Sequence, residues 1–173
     1  PAMQRLRARV ARLVPTTDGV VLALSDTGKA VKGWPVTTDP LPLHTGSRAF
    51  TSGALPTTFH ESLGNGLAAA DLDGDGRNEI VAGSLAGKLY VWEQNGKRRA
   101  GFPVATDPRF SARAARDPYN RLQRGLLAAP VLVDLDGDSK LDVLAAAMDR
   151  HVYAWHGDGT PVAGWPVLVV DRT

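Results

Sequence analysis

Two stretches of this chain align with one another without a gap, and that repeat limits what the chain can fold into more than any other property. Leu67–Val104 reads LAAADLDGDGRNEIVAGSLAGKLYVWEQNGKRRAGFPV, and Pro130–Val167 reads PVLVDLDGDSKLDVLAAAMDRHVYAWHGDGTPVAGWPV. Asp71 and Asp134, Trp92 and Trp155, and Gly101 and Gly164 each stand 63 residues apart. A third copy, VVLALSDTGKAVKGWPVTTDP at Val20–Pro40, aligns with Lys88–Pro108 at an offset of 68, and upstream it places Arg12–Thr16 under Ile80–Ser84. Further upstream, Met3, Arg5 and Arg7 fall where Asp71, Asp73 and Asp75 stand, so the first copy is truncated or divergent. A repeat of this length is a supersecondary unit that cannot bury its apolar face alone and must stack on its neighbours.

Each unit reads as four short strands. The first is Leu67–Ala70 or Pro130–Val133, ending in an acidic loop, and the second is Glu79–Ser84 or Asp142–Ala147. The third, Lys88–Glu93 or His151–His156, alternates in the manner of a sheet strand. A Gly-containing turn (Thr27-Gly28, Asn95-Gly96, Asp158-Gly159) leads into a fourth strand ending in Gly-aromatic-Pro-Val. Proline near that strand's end suits an outer edge, where a missing N–H donor matters least.

Four-stranded units in series predict an all-β fold of β-propeller blades, with Trp34, Phe102 and Trp165 filling the gaps between them. The chain divides into a partial blade (1–36), a long insertion (37–66), a blade (67–104), an arginine-rich insertion (105–125) and a further blade (126–173). Closed propellers need at least about four blades. The expectation is therefore a segment of a larger propeller, or one that an assembly partner completes with further blades. The N-terminus lacks the apolar core of a signal peptide and does not begin with Met, in keeping with a piece of something longer.

The acidic loops carry the chemistry. In Asp71-Leu-Asp-Gly-Asp-Gly-Arg-Asn-Glu79, oxygens recur at positions 1, 3, 5 and 9. Three carboxylates this close repel by on the order of 1 kcal/mol per pair even when wet, and a hard divalent cation converts that repulsion into coordination. Calcium accepts six to eight oxygens in irregular geometry. The expected ligands are Asp71, Asp73, Asp75, the Arg77 carbonyl and Glu79 in the first loop. In the second they are Asp134, Asp136, Asp138, the Lys140 carbonyl and Asp142, making two calcium sites. Ser139 stands where the first loop has Gly76, a strained choice for a left-handed position, so the second site is expected to be the weaker. An EF-hand would place its last acid at position 12 between helices, which this pattern excludes.

AAADLDGDGRNEIVAGS and VLVDLDGDSKLDVLAAA, with GKLYVWEQNGKRRAGFPV and HVYAWHGDGTPVAGWPV downstream, resemble the FG-GAP/VCBS repeat family, the calcium-binding blades also found in integrin α-subunits. The resemblance covers about Leu67–Val167, with a faded copy at Arg12–Val36. It implies a calcium-stabilised propeller outside the cell or in the periplasm, serving adhesion, protein or carbohydrate binding, or support of an attached enzyme.

The insertions open alike, Thr37-Thr-Asp-Pro40 and Ala105-Thr-Asp-Pro108, then diverge. Segments this long tend to be functional. Arg109, Arg113, Arg116, Arg121 and Arg124 are candidates for an acidic glycan or protein partner, with a short helix expected before Asp117-Pro118. A nucleic-acid partner is not expected at a net charge of only +2. His44, His60 and Glu61 match no metal or catalytic spacing. There is no cysteine, which excludes thiolate chemistry, and no run of about 18 apolar residues to span a membrane. No catalytic triad order, phosphate loop or nucleotide fingerprint is present. The reading is thus a non-catalytic binding or support module. The alternative is a fragment of a secreted propeller enzyme such as a polysaccharide lyase or hydrolase. A quinone-dependent dehydrogenase, which GKLYVWEQNGK resembles, is disfavoured by the acidic loops.

Overall fold

The computed structural model describes residues 12–111 and 124–169. It contains three antiparallel sheets. The first comprises β1 (Arg12–Pro15), β2 (Val20–Leu24) and β3 (Val36–Thr37). A helical turn, α1 (Arg48–Thr51), follows in the first insertion. The second sheet holds β4 (Leu63–Ala70), β5 (Glu79–Ser84), β6 (Lys88–Trp92) and β7 (Val104–Ala105), in that spatial order. A 3₁₀ turn at Pro108–Phe110 opens the second insertion. The third sheet holds β8 (Val131–Val133), β9 (Asp142–Ala146), β10 (His151–Trp155) and β11 (Val167–Leu168), again in sequence order. These are propeller blades: up-and-down sheets lying face to face, the first with three described strands.

Strand alternation decides which face meets which neighbour. Ile80, Ala82, Tyr90 and Trp92 of the second sheet pack on Val21 and Ala23 of the first, and Trp34 and Val36 close that layer. The opposite residues of the same strands, Val81, Leu89 and Val91, pack with Phe102 on Val143, Ala145, Tyr153 and Trp155 of the third sheet. The middle sheet is therefore apolar on both faces, and every residue of β5 is buried. Trp34 and Phe102 fill the seams as expected, and Trp34 also donates its indole N–H to the Gln94 carbonyl across the seam at 3.1 Å.

The outer strands differ from the expectation in position. They begin, rather than end, at the Gly-aromatic-Pro-Val segment, because each hairpin first closes through a single bridge (Leu24–Ala30, Trp92–Arg98, Trp155–Pro161) and then turns again. The bonds Trp34–Pro35, Phe102–Pro103 and Trp165–Pro166 are all cis. β4 also starts earlier than expected, at Leu63, with a register shift between Leu63 and Leu67. The first insertion therefore ends inside a strand. Its other end is tied back at its base, with Leu41 N–H donating to Phe59 O at 2.7 Å and Glu61 N–H to Asp39 O at 3.0 Å.

Antiparallel order puts consecutive connections at alternate ends of a blade. The acidic loop between β4 and β5 and the hairpin between β6 and β7 share one rim. The β5–β6 turn and the insertion after β7 share the other, where Thr106 N–H donates to Gly87 O at 2.8 Å. The expected helix before Asp117-Pro118 lies outside the described residues.

Candidate metal centre

Each acidic loop begins where an inner strand ends and finishes on the first residue of the next, so two strand ends fix its width. The Asp71 carboxylate organises the first loop. Its Oδ1 accepts from Gly74 N–H at 2.7 Å and Asp75 N–H at 3.1 Å, and its Oδ2 from Gly76 N–H at 2.8 Å. The Gly76 and Gly74 N–H groups hold the Asp71 carboxyl below the usual carboxylate range. The second loop repeats this: Asp134 Oδ1 accepts from Gly137 at 2.7 Å and Oδ2 from Ser139 at 3.0 Å.

Oxygens of Asp71, Asp73 and Glu79 lie within 4.8 Å of one another, and so do those of Asp134, Asp136 and Asp142. Asp75 and Asp138 stand outside these groups, each turned to a neighbouring backbone N–H, of Arg77 and of Lys140, at 2.8 Å. Those two aspartates remain at the exposed lip of the loop.

Glu79 is 1% exposed. Its Oε2 accepts from Leu72 N–H at 2.8 Å. Its Oε1 is buried and has no hydrogen-bond partner. Burial pushes the Glu79 carboxyl up, and the charges of Asp73 and Glu93 add to that, against the Leu72 N–H. An unpartnered buried carboxylate oxygen is costly. Here it belongs to the same group as the Asp71 and Asp73 oxygens, so a bound cation would satisfy it.

The second loop resolves the same problem differently. Asp142 Oδ2 accepts from Leu135 N–H at 3.0 Å, but Oδ1 lies 2.8 Å from His156 Nδ1. His156 occupies the repeat position of Glu93. Beside the first loop, Arg99 takes the corresponding electrostatic role: its Nη1 lies 3.0 Å from Asp73 and 3.1 Å from Glu93, while its Nε donates to Gly157 O at 2.7 Å in the neighbouring blade. Glu93, Arg99 and His156 went unrecognised in the sequence because they sit on the following hairpin, 14 or more residues beyond the acids they face. The repeat offset that pairs Glu93 with His156 was the available signal. Between the loops, Asp73, Arg99, Asp136, Asp142 and His156 line a cavity of about 460 Å³.

Of the arginines singled out in the sequence, Arg109 is exposed and held by Asp107, with Nη2–Oδ2 at 2.6 Å. Arg124 sits at the seam between the second and third blades, its carbonyl accepting from Thr106 Oγ1 at 3.3 Å. Arg113, Arg116 and Arg121 lie outside the described residues. His60 and Glu61 are seam residues. Nδ1 of His60 is 2.7 Å from Thr38 O. Glu61 is buried, with Lys88 Nζ at 3.0 Å, Ser84 Oγ at 3.0 Å and Tyr90 O–H at 2.7 Å.

Residues 63–96, which contain the first acidic loop, match the family model for the FG-GAP repeat. No curated protein sequence matches the chain. Among solved structures it is similar in fold to one described as the crystal structure of BBS1N in complex with ARL6DN, soaked with lead. The TM-score is 0.53 and the identity 9%, over 90% of this chain and 39% of that one. The chain is a propeller repeat module.

Proposed function

We propose that this FG-GAP repeat module is a calcium-stabilised, non-catalytic propeller segment that presents its insertions to a protein or glycan partner outside the cell or in the periplasm. The buried, unpartnered Glu79 Oε1 beside Asp71 and Asp73 carries the metal reading. Hard oxygen donors in an irregular loop suit calcium better than magnesium, which gives up its water reluctantly. Asp71, Asp73 and Glu79 would hold the ion in the first loop, and Asp134, Asp136 and Asp142 in the second. The Arg77 and Lys140 carbonyls and the outer aspartates Asp75 and Asp138 would complete the shells after turning inward. Bound calcium would tie the end of the inner strand to the start of the next.

The non-catalytic reading is supported by His60 and Glu61, the polar residues of the first insertion nearest the blades, being engaged in seam contacts. A protein partner is in keeping with the complex in which BBS1N is found. Arg109, exposed on the rim opposite the acidic loops and paired with Asp107, is the described member of the arginine group that would meet an acidic partner there. Titration calorimetry with calcium, paired with melting in chelator, tests the metal reading. Heat of binding and a lower melting temperature after chelation are expected. Neither appearing would overturn it.

A further inference from the structure

We propose that Arg99 is a built-in counter-cation of the first acidic loop, clamped onto Asp73 by the next blade. It stabilises the loop when no ion is bound and lowers the loop's affinity for calcium. This role rests on calcium being the ion of that loop, as proposed above. At this hairpin position the three units share one backbone. Val31 N–H donates to Ala23 O at 2.9 Å, Arg99 N–H to Val91 O at 2.9 Å, and Val162 N–H to Ala154 O at 3.1 Å. The first and third units thus carry valine there, and both valines serve packing. Val162 is buried, and Val31 lies against the core of the first seam. The middle unit sets an arginine in this apolar place, where a guanidinium needs anionic partners.

Arg99 has two such partners and a fixed anchor. Its Nη1 lies 3.0 Å from Asp73 Oδ2 and 3.1 Å from Glu93 Oε1. Its Nε donates to Gly157 O at 2.7 Å, and the side chain is only 14% exposed. Gly157 is itself pressed against the first loop, since a Cβ there would lie 3.1 Å from Leu72 O. The carbonyl that anchors the guanidinium is therefore held by the loop the guanidinium serves. Arg77, within the loop, is placed differently: it is more than half exposed at the lip, its Nε 4.0 Å from Asp75 Oδ2.

At these two hairpin positions a basic group occurs where the acids do. The third unit has Val162 in place of Arg99 but His156 in place of Glu93, and His156 Nδ1 lies 2.8 Å from Asp142 Oδ1. The first unit, which lacks the acidic loop, carries Ser25 and Val31 at the same two positions. Arg99 and a calcium ion in the first loop therefore act on one carboxylate, and two cations that share Asp73 repel each other. Arg99 contributes more to the loop alone than to the loop whose Asp73 charge calcium has neutralised. By linkage, whatever its removal costs the metal-free protein beyond the calcium-bound one reappears as tighter calcium binding. An arginine that merely oriented Asp73 for the ion would act with the opposite sign.

Titration calorimetry with calcium tests this in an Asp136→Asn background, so that the first loop is read by itself. Arg99→Val introduces the residue its repeat partners carry, and Arg99→Gln keeps a donor for Gly157 O. Each is expected to bind calcium about threefold or more tighter, as loss of a neighbouring like charge does. Arg99→Lys, which retains the charge, should bind as the parent does. In chelator the two uncharged variants should melt below the parent, and the deficit should shrink at saturating calcium. An affinity unchanged or weakened in an uncharged variant that keeps the parent's circular dichroism overturns this proposal alone. So does a melting deficit that is the same with and without calcium. No heat of binding in any variant or the parent overturns the calcium reading, and this proposal with it.

Discussion

Ser139 and Gly76 occupy the same repeat position with φ of 67° and 81°, so one left-handed backbone is held in the two loops by different residues. A non-glycine residue there carries about 1–2 kcal/mol of strain. Ser139→Gly should therefore raise the melting temperature of the metal-free protein slightly, the gain being partly offset by the freer unfolded chain. Glu79→Gln should abolish calcium uptake at the first loop in titration calorimetry while leaving that of the second. Asp39 supplies a pH dependence of its own. Burial acts to raise its carboxyl pKa, but hydrogen bonds and charge from Lys88 and Arg98 prevail and hold it below its ordinary value. The stabilisation is complete above the unfolded carboxyl value of about 3.9 and is lost as pH falls through the lower folded value. Asp39→Asn should flatten the acid limb of the unfolding curve below about pH 4, measured by denaturant melts.

At the scale of elements, the seams are locked by a polar clasp as well as by apolar packing. Burial pushes the Tyr90 and Tyr153 hydroxyls up, and the nearby carboxylates Glu61 and Asp149 add to this, so both remain protonated donors. Tyr90→Phe removes one donor from buried Glu61 and the acceptor from the Asp39 N–H, and should cost about 1–3 kcal/mol. Its measure is the denaturation midpoint, with Tyr153→Phe as the parallel case. Gly101→Ala should cost at least as much, because the methyl would meet the Asp158 carbonyl and the blades would have to part. Thr-Asp-Pro opens both insertions because Thr and Asp complete the clasp to the next blade. That shared tripeptide was visible in the sequence as a repeat. Its partners, one blade further on, were not.

At the scale of the whole molecule, the acidic loops and the described ends of the insertions lie on opposite rims. Removing calcium should therefore lower the melting temperature without directly altering a partner surface on the insertions. Binding of any such partner below the melting transition should be insensitive to chelator, checked by the same binding assay with and without it. The central sheet, buried on both faces, is expected to exchange its amide hydrogens last.

The sequence by itself determined the all-β repeat, the strand alternation, the two acidic loops and the strained Ser139. All of these follow from residue type and spacing along a strand or turn. Only the tertiary structure decided that Glu61 and His60 serve a seam, and that the outer strands begin after the prolines. It also placed Arg99 and His156 beside the two loops, and left Glu79 with an unpartnered oxygen where Asp142 has a partner. Contacts of that kind join residues separated by a hairpin or a whole blade. Their distances depend on how the sheets stack, which no local pattern encodes.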